Sequence, residues 1–80
     1  IVRNQIVRHR RDLFSPRALR RLAALGHMRR EAASVDSIRV LRDFIAWEPR
    51  SLLRERARVI LARMENEIDG LRLGRGREPA

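Results

Sequence analysis

The chain has 80 residues, 44% of them hydrophobic, which allows one small domain near the size at which a single core is only marginally stable. It contains no cysteine, which excludes disulfides, thiolate metal sites, iron–sulfur clusters and a thiol nucleophile. Its formal net charge is +9, and no apolar run approaches the ~20 residues that span a bilayer.

The first segment, residues 1–14, has an ambiguous pattern. A narrow helical stripe is formed by Val2, Ile6, His9 and Leu13. The paired β-branched residues near its start, flanked by charges, suit short strands equally well. Periodicity therefore leaves both structures open.

Residues 15–33 predict a helix with Ser15 as its N-cap and Pro16 at the first helical position. Its leucines recur every three residues and so wrap around the helix, which predicts contacts with more than one neighbour. The outer side of its first turns is predicted to carry Arg17, Arg20 and Arg21.

Residues 34–47 predict a second helix, capped by Ser34 or Asp36. Its inner face comprises Ile38, Leu41, Phe44 and Ile45, widened by Val40 and Trp47. An apolar arc this broad predicts a helix that is mostly covered. Residues 15–47 are therefore interpreted as a helix pair.

A long third helix is predicted over residues 48–72, with Pro49 in its first turn and Gly70 or Gly74 at its end. Its apolar residues fall in one arc about 100° wide, which is typical of an amphipathic helix. This apolar stripe comprises Leu53, Ala57, Ile60, Leu61, Met64, Ile68 and Leu71. Residues 73–80 are predicted to form a flexible tail. The fold class is therefore mainly all-α.

An ordered set of residues runs through the first two helices without a gap. It comprises Leu13-Phe14-Ser15, Leu19-Arg20-Arg21-Leu22, Leu25, Met28-Arg29, Ala32, Ser34-Val35 and Ile38. This set resembles the MerR family of transcription regulators, in which it leads from the wing of the DNA-binding domain through a helix pair to a dimerisation helix. The resemblance implies that residues 1–14 are a wing remnant with strand structure.

The sequence departs from the family pattern in four places, one of which is Ala32, where the family usually has glycine. The helix-turn-helix that precedes the wing has no counterpart, so the resemblance implies that Ile1 lies within or just before the wing. The usual Gly-Tyr-Arg at the end of the wing is replaced by residues 9–12, His-Arg-Arg-Asp. The cysteines with which many relatives sense metals or redox state are missing, so those sensing modes are excluded.

The charge is concentrated in the N-terminal part. Residues 1–30 carry nine arginines and one aspartate, whereas residues 31–71 carry seven arginines and eight acidic residues, which indicates an anionic partner for the basic part. Guanidinium groups bind phosphate oxygens bidentately, and free N–H groups at a helix start add to such a site. The predicted DNA phosphate contacts are Arg8, His9, Arg10, Arg11, Ser15, Arg17, Arg20 and Arg21. A solvated, arginine-biased surface is the alternative.

The charges of the long helix predict the orientation of a homodimer. Arginines crowd its N-terminal half and acidic residues its C-terminal half, which opposes the helix dipole. An antiparallel second copy would compensate by bringing Arg54 toward Glu65 of that copy, and Arg56 toward its Glu67. The sequence therefore predicts an antiparallel dimer that pairs through the apolar stripe.

The remaining candidate residues point away from catalysis. No Ser-His-acid set, paired carboxylates or glycine-rich phosphate loop is evident, and His9 and His27 stand in no metal-ligand pattern, so neither an enzyme nor a cofactor is predicted. Trp47 is interpreted mainly as core packing, although in ligand-sensing relatives this region can form an effector pocket.

The predicted function is a dimeric, cytoplasmic, nucleoid-associated regulator that binds double-stranded DNA, with no membrane partner. The alternative is a small helical interaction module that binds an acidic partner.

Overall fold

The computed structural model describes residues 11–76, with side chains described as far as Leu71. Within this range the chain forms helices and no strand, so the predicted all-α class is confirmed. Three helices follow one another: α1 spans Ala18–Met28, α2 spans Val35–Trp47 and α3 spans Ser51–Gly76.

The segment before α1 is helical rather than extended. Residues 11–13 are helical, and the turn closes with the Phe14 N–H donating to the Arg11 carbonyl at 3.2 Å. The reason is packing, because the Leu13 side chain is fully buried in the core. The strand predicted for residues 1–14 is therefore wrong at residues 11–13, and residues 1–10 lie outside the described residues.

Helix α1 starts later than the sequence pattern predicts. Its N-cap is Arg17, whose side chain makes no capping hydrogen bond. Ser15 instead accepts a hydrogen bond at its Oγ from the Arg17 N–H at 3.1 Å, which closes a local turn before the helix. The prediction of Ser15 as N-cap and Pro16 as first helical residue is therefore wrong.

Helix α2 starts as predicted, because Ser34 accepts a hydrogen bond from the Ser37 N–H at 3.0 Å and so caps the helix. Helix α3 runs to Gly76, past both predicted ends, and none of the glycines described adopts a positive φ that would stop it. The predicted tail is therefore helical at residues 73–76, and residues 77–80 lie outside the described residues.

The core lies along α3, which contacts both α1 and α2. Each fully buried large apolar side chain contributes roughly 1.5–3 kcal/mol, so the core between α3 and the other two helices supplies most of the stability. Its buried apolar residues are Leu13, Ala24, Leu25, Met28, Ile38, Leu41, Phe44, Leu53, Ala57, Ile60 and Met64.

Two arginines of α3 hold the connections between the helices. Arg63 donates from Nη2 to the carbonyls of Met28, Arg29 and Glu31, at 3.3, 2.9 and 3.1 Å. Arg54 makes similar contacts with the connection that follows α2. Its Nη1 donates to the carbonyls of residues 48 and 49, at 3.0 and 2.8 Å. Carbonyls at a helix C-terminus lack intrahelical partners, so these side chains satisfy them and tie the turns to α3.

Candidate polyanion-binding surface

Three of the predicted phosphate-contact residues lie exposed at the N-terminal end of the bundle. Arg11, Arg17 and Arg20 are exposed, and none of them takes part in an ion pair among the described residues. Arg8, His9 and Arg10 lie outside the described residues. The exposed guanidinium groups present fixed positive charge to solvent, which is the requirement for binding phosphate.

Arg21 is the exception, because it is buried. Its side chain is only 6% exposed and makes a bidentate pair with Glu48, with Nε to Oε1 at 2.5 Å and Nη2 to Oε2 at 3.0 Å. Its Nη1 donates to the carbonyls of Ser15 and Pro16, at 2.9 and 3.1 Å. All its donor atoms are therefore engaged inside the fold, and its predicted phosphate contact is wrong.

Glu48 remains a carboxylate inside the fold. Burial by itself raises the pKa of Glu48, but hydrogen bonds from the Arg21 side chain and the Arg50 N–H, together with both positive charges, outweigh burial and leave the pKa below its ordinary value. The carboxylate thus ties α1 to the start of α3. This pair is a structural feature and not part of a ligand site.

The start of α1 differs from the predicted phosphate site. Ser15 is half-buried and its Oγ accepts from the Arg17 N–H, so its hydroxyl serves the local turn. The first turn of α1 holds no acidic residue and has no side-chain cap. Helix α1 begins at Ala18, two residues after Pro16, so its free N–H groups lie next to Arg17 and Arg20 rather than at Ser15 and Pro16.

One further basic residue lies near the end of α1. Arg30, just after the helix, is exposed and in no ion pair among the described residues. Ten residues separate it from Arg20, which at about 100° per residue places it about 80° around the helix axis from Arg20, toward Leu19. Arg30 is therefore not assigned to the same surface. Arg11, Arg17 and Arg20 together are called the arginine face below.

The apolar stripe of α3 packs largely within its own chain. Four of its residues are at most 4% exposed and lie in the core of this one chain: Leu53, Ala57, Ile60 and Met64. Leu61 and Ile68 pack at the edge of the same core, and Leu71 is 72% exposed. The stripe is thus explained by burial under α1 and α2, and its pairing with a second copy stays a prediction.

Three of the four charges that were assigned to a second copy have partners within the chain, and Arg56 is the exception among the described residues. Glu65 pairs with Arg42 at 2.6 Å, and Glu67 pairs with Arg63 at 3.2 Å. Arg54 donates to the carbonyls that follow α2. The reversed charges of α3 are thus compensated largely by contacts inside the chain, so they give no support to an antiparallel dimer.

Trp47 belongs to an aromatic cluster. Its ring centroid lies 5.1 Å from that of Phe14 and 6.1 Å from that of Phe44, and the Arg21 guanidinium carbon lies 5.4 Å from it. The ring packs the α2 end onto the turn before α1 and covers the Arg21–Glu48 pair. Trp47 therefore packs at the joint as expected, but it is 47% exposed and lies outside the buried core, and it lines none of the hollows described below.

Metal-binding clusters and membrane-spanning helices are both absent from the described residues. No cluster of three or more histidine, cysteine or acidic side chains with metal-binding geometry occurs there. No helix in that range combines the length and apolar character needed to cross a bilayer.

Comparison with protein-family models, curated proteins and solved structures finds no match to this chain. The resemblance to the MerR family therefore stays a prediction.

Proposed function

We propose that this chain binds the phosphate backbone of double-stranded DNA through its arginine face, as the DNA-contacting part of a transcription regulator. The observation that supports the proposal best is that three exposed arginines within ten residues, next to the start of α1, make no ion pair among the described residues. Within the described residues, Arg42, Arg58 and Arg63 are paired with carboxylates on the surface, whereas the arginine face has no such pair. Its charge is therefore free for an external anion.

The chemistry of these side chains predicts affinity without base recognition. Guanidinium groups neutralise phosphates and release bound counterions, which makes binding strongly dependent on salt. Phosphate contacts position a protein on the duplex but carry no direct sequence information. The arginine face therefore anchors the chain on DNA, and base recognition lies elsewhere in the regulator.

The assignment to a MerR-like regulator rests on the resemblance alone. Helices α1, α2 and α3 follow the order of the helix pair and long helix that the resemblance implies, whereas the helical residues 11–13 differ from its wing strand. Pairing through the apolar stripe is not part of the proposal, because that stripe is the core of the single chain.

The proposal is tested by measuring duplex DNA binding between about 50 and 200 mM salt, with the full chain and with arginine variants. We expect Arg17→Gln and Arg20→Gln each to make the slope of log affinity against log salt shallower by about one. Arg39→Gln is the matched control, since Arg39 is exposed on α2 beside Glu65 and Asp69. A salt-independent affinity, or an equal loss in the control, would contradict the proposal.

A further inference from the structure

A groove runs between α1 and α3, on a different side of α1 from the arginine face. It consists of two adjoining hollows that share Leu22. The first lies against Leu52 and Leu53 near the start of α3, and the second against Val59 and Ile60 one to two turns further along. The two hollows have volumes of about 450 and 340 Å³ respectively.

The walls of this groove expose large apolar side chains that the fold leaves uncovered. Leu19 is 81% exposed, Leu52 62% and Val59 69%. Single exposed apolar residues are common, but these three line two adjoining hollows of one groove, and clustered apolar exposure is typical of interaction sites. Since the core is complete without them, their apolar surface is available to a partner.

The border of the groove is positively charged. Arg50 lines the first hollow, and Arg29 and Arg56 line the second, whereas no acidic residue lines either. Arg29 and Arg56 are in no ion pair among the described residues. An occupant that combines apolar side chains with negative charge would satisfy both features.

The spacing of the groove residues fits a helix. Leu52 and Val59 are seven residues apart on α3, which places them about 10 Å apart along the helix axis. The same distance separates positions i and i+7 on one face of a partner helix lying along α3, which is how amphipathic helices dock in grooves.

We propose that this groove binds an acidic amphipathic helix of another protein, through residues that the proposed DNA contact does not use. Residues 1–10 of this chain are a poor occupant, because they carry three arginines and no acidic residue. A second copy is a poor occupant as well, since the chain has a formal net charge of +9 and its Glu65 and Glu67 are already paired with Arg42 and Arg63.

The test uses the full chain and a labelled helical peptide of about fifteen residues, with leucines at i, i+3 and i+7 and glutamates on its outer face. A matched peptide carries lysines in place of the glutamates. We expect the acidic peptide to bind and the basic one to bind at least about tenfold more weakly. Leu52→Gln combined with Val59→Gln weakens the acidic peptide by at least about tenfold, whereas Val35→Gln, at an equally exposed valine on α2, leaves it unchanged.

The charged border is tested separately. Arg56→Glu lowers the affinity for the acidic peptide and raises it for the basic one, whereas Arg39→Glu on α2 has little effect on either.

Three outcomes would overturn the docking proposal: equal binding of both peptides, full binding by the Leu52→Gln/Val59→Gln variant, or a wild-type dimer that this variant dissociates. The last would assign the groove to a second copy. Loss of DNA binding with intact peptide binding counts only against the proposed function.

Discussion

At the scale of the residue, Arg21 shows how position in the helix decides the role of a charge. Arg17, Arg20 and Arg21 are close in the sequence, but only Arg21 lies within α1 on the face of the buried Ala24 and Met28. Helical register places positions 17 and 21 on that same face, so periodicity does not tell which of the two is buried; the extended backbone of Arg17 at the N-cap decides it. The partner of Arg21, Glu48, lies 27 residues away, and no local pattern connects them.

The Arg21–Glu48 pair predicts a stability effect that depends on pH. We expect Glu48→Gln to lower the free energy of unfolding by about 3–5 kcal/mol near neutral pH, because Arg21 stays buried without its counter-charge. The folded-state pKa of Glu48 lies below its ordinary value of 4.5, so the contribution of the carboxylate is complete above that pH and is lost as the pH falls through the folded value. Wild type and variant therefore converge in acid.

Urea unfolding at neutral pH and over a series of acidic pH values measures this difference. The matched control is Glu55→Gln, since that carboxylate is 64% exposed beside Arg58 and its pair contributes at most about 1 kcal/mol. A Glu48→Gln variant that unfolds like the control at neutral pH would show that the buried pair does not stabilise the fold.

At the scale of the element, α1 contains a glycine that its conformation does not require. Gly26 lies inside the helix without a positive φ, and a Cβ atom built on it meets nothing within 4 Å. Glycine in a helix interior costs roughly 0.5–1 kcal/mol relative to alanine, because the unfolded chain loses more conformational freedom. Helix α1 is therefore less stable than its packing allows.

We expect Gly26→Ala to raise the free energy of unfolding by about 0.5–1 kcal/mol. Ala23→Gly, at an exposed position of the same helix, is expected to lower it by a similar amount. Chemical denaturation of both variants beside wild type measures the two changes. A destabilised Gly26→Ala variant would mean that the glycine serves a close approach that this structure does not contain.

At the scale of the whole molecule, the amphipathic α3 completes a core within one chain. We expect Met64→Ala to lower the free energy of unfolding by about 2–5 kcal/mol, because Met64 is fully buried and its removal leaves a cavity. Because this core lies within one chain, the free energy of unfolding is expected not to vary with protein concentration. The apparent stability of a dimer held through the same stripe would vary with it.

Denaturation at two protein concentrations, with sedimentation of the wild type, checks this expectation. Leu71→Ala is the control, because Leu71 lies on the same stripe but is 72% exposed, so its truncation changes stability by less than about 0.5 kcal/mol. A wild type that sediments as a dimer and becomes less stable on dilution would instead indicate that the stripe pairs two chains.

The sequence by itself determined the local features of this protein. The all-α class, the three helices in order and the Ser34 cap of α2 follow from periodicity and capping, which involve residues at most about four apart. The concentration of positive charge in residues 1–30 is likewise a property of the sequence alone.

Only the tertiary structure decided what those elements contact. An amphipathic stripe requires burial but does not specify the surface that covers it, so the same α3 pattern fits a dimer seam and the core observed here. Tertiary packing also decides which arginine side chains are engaged inside the chain and which are exposed to solvent. The Arg21–Glu48 pair and the Arg63 contacts, for example, join residues distant in sequence. Such contacts depend on how the helices pack, and helical periodicity carries no information about that packing.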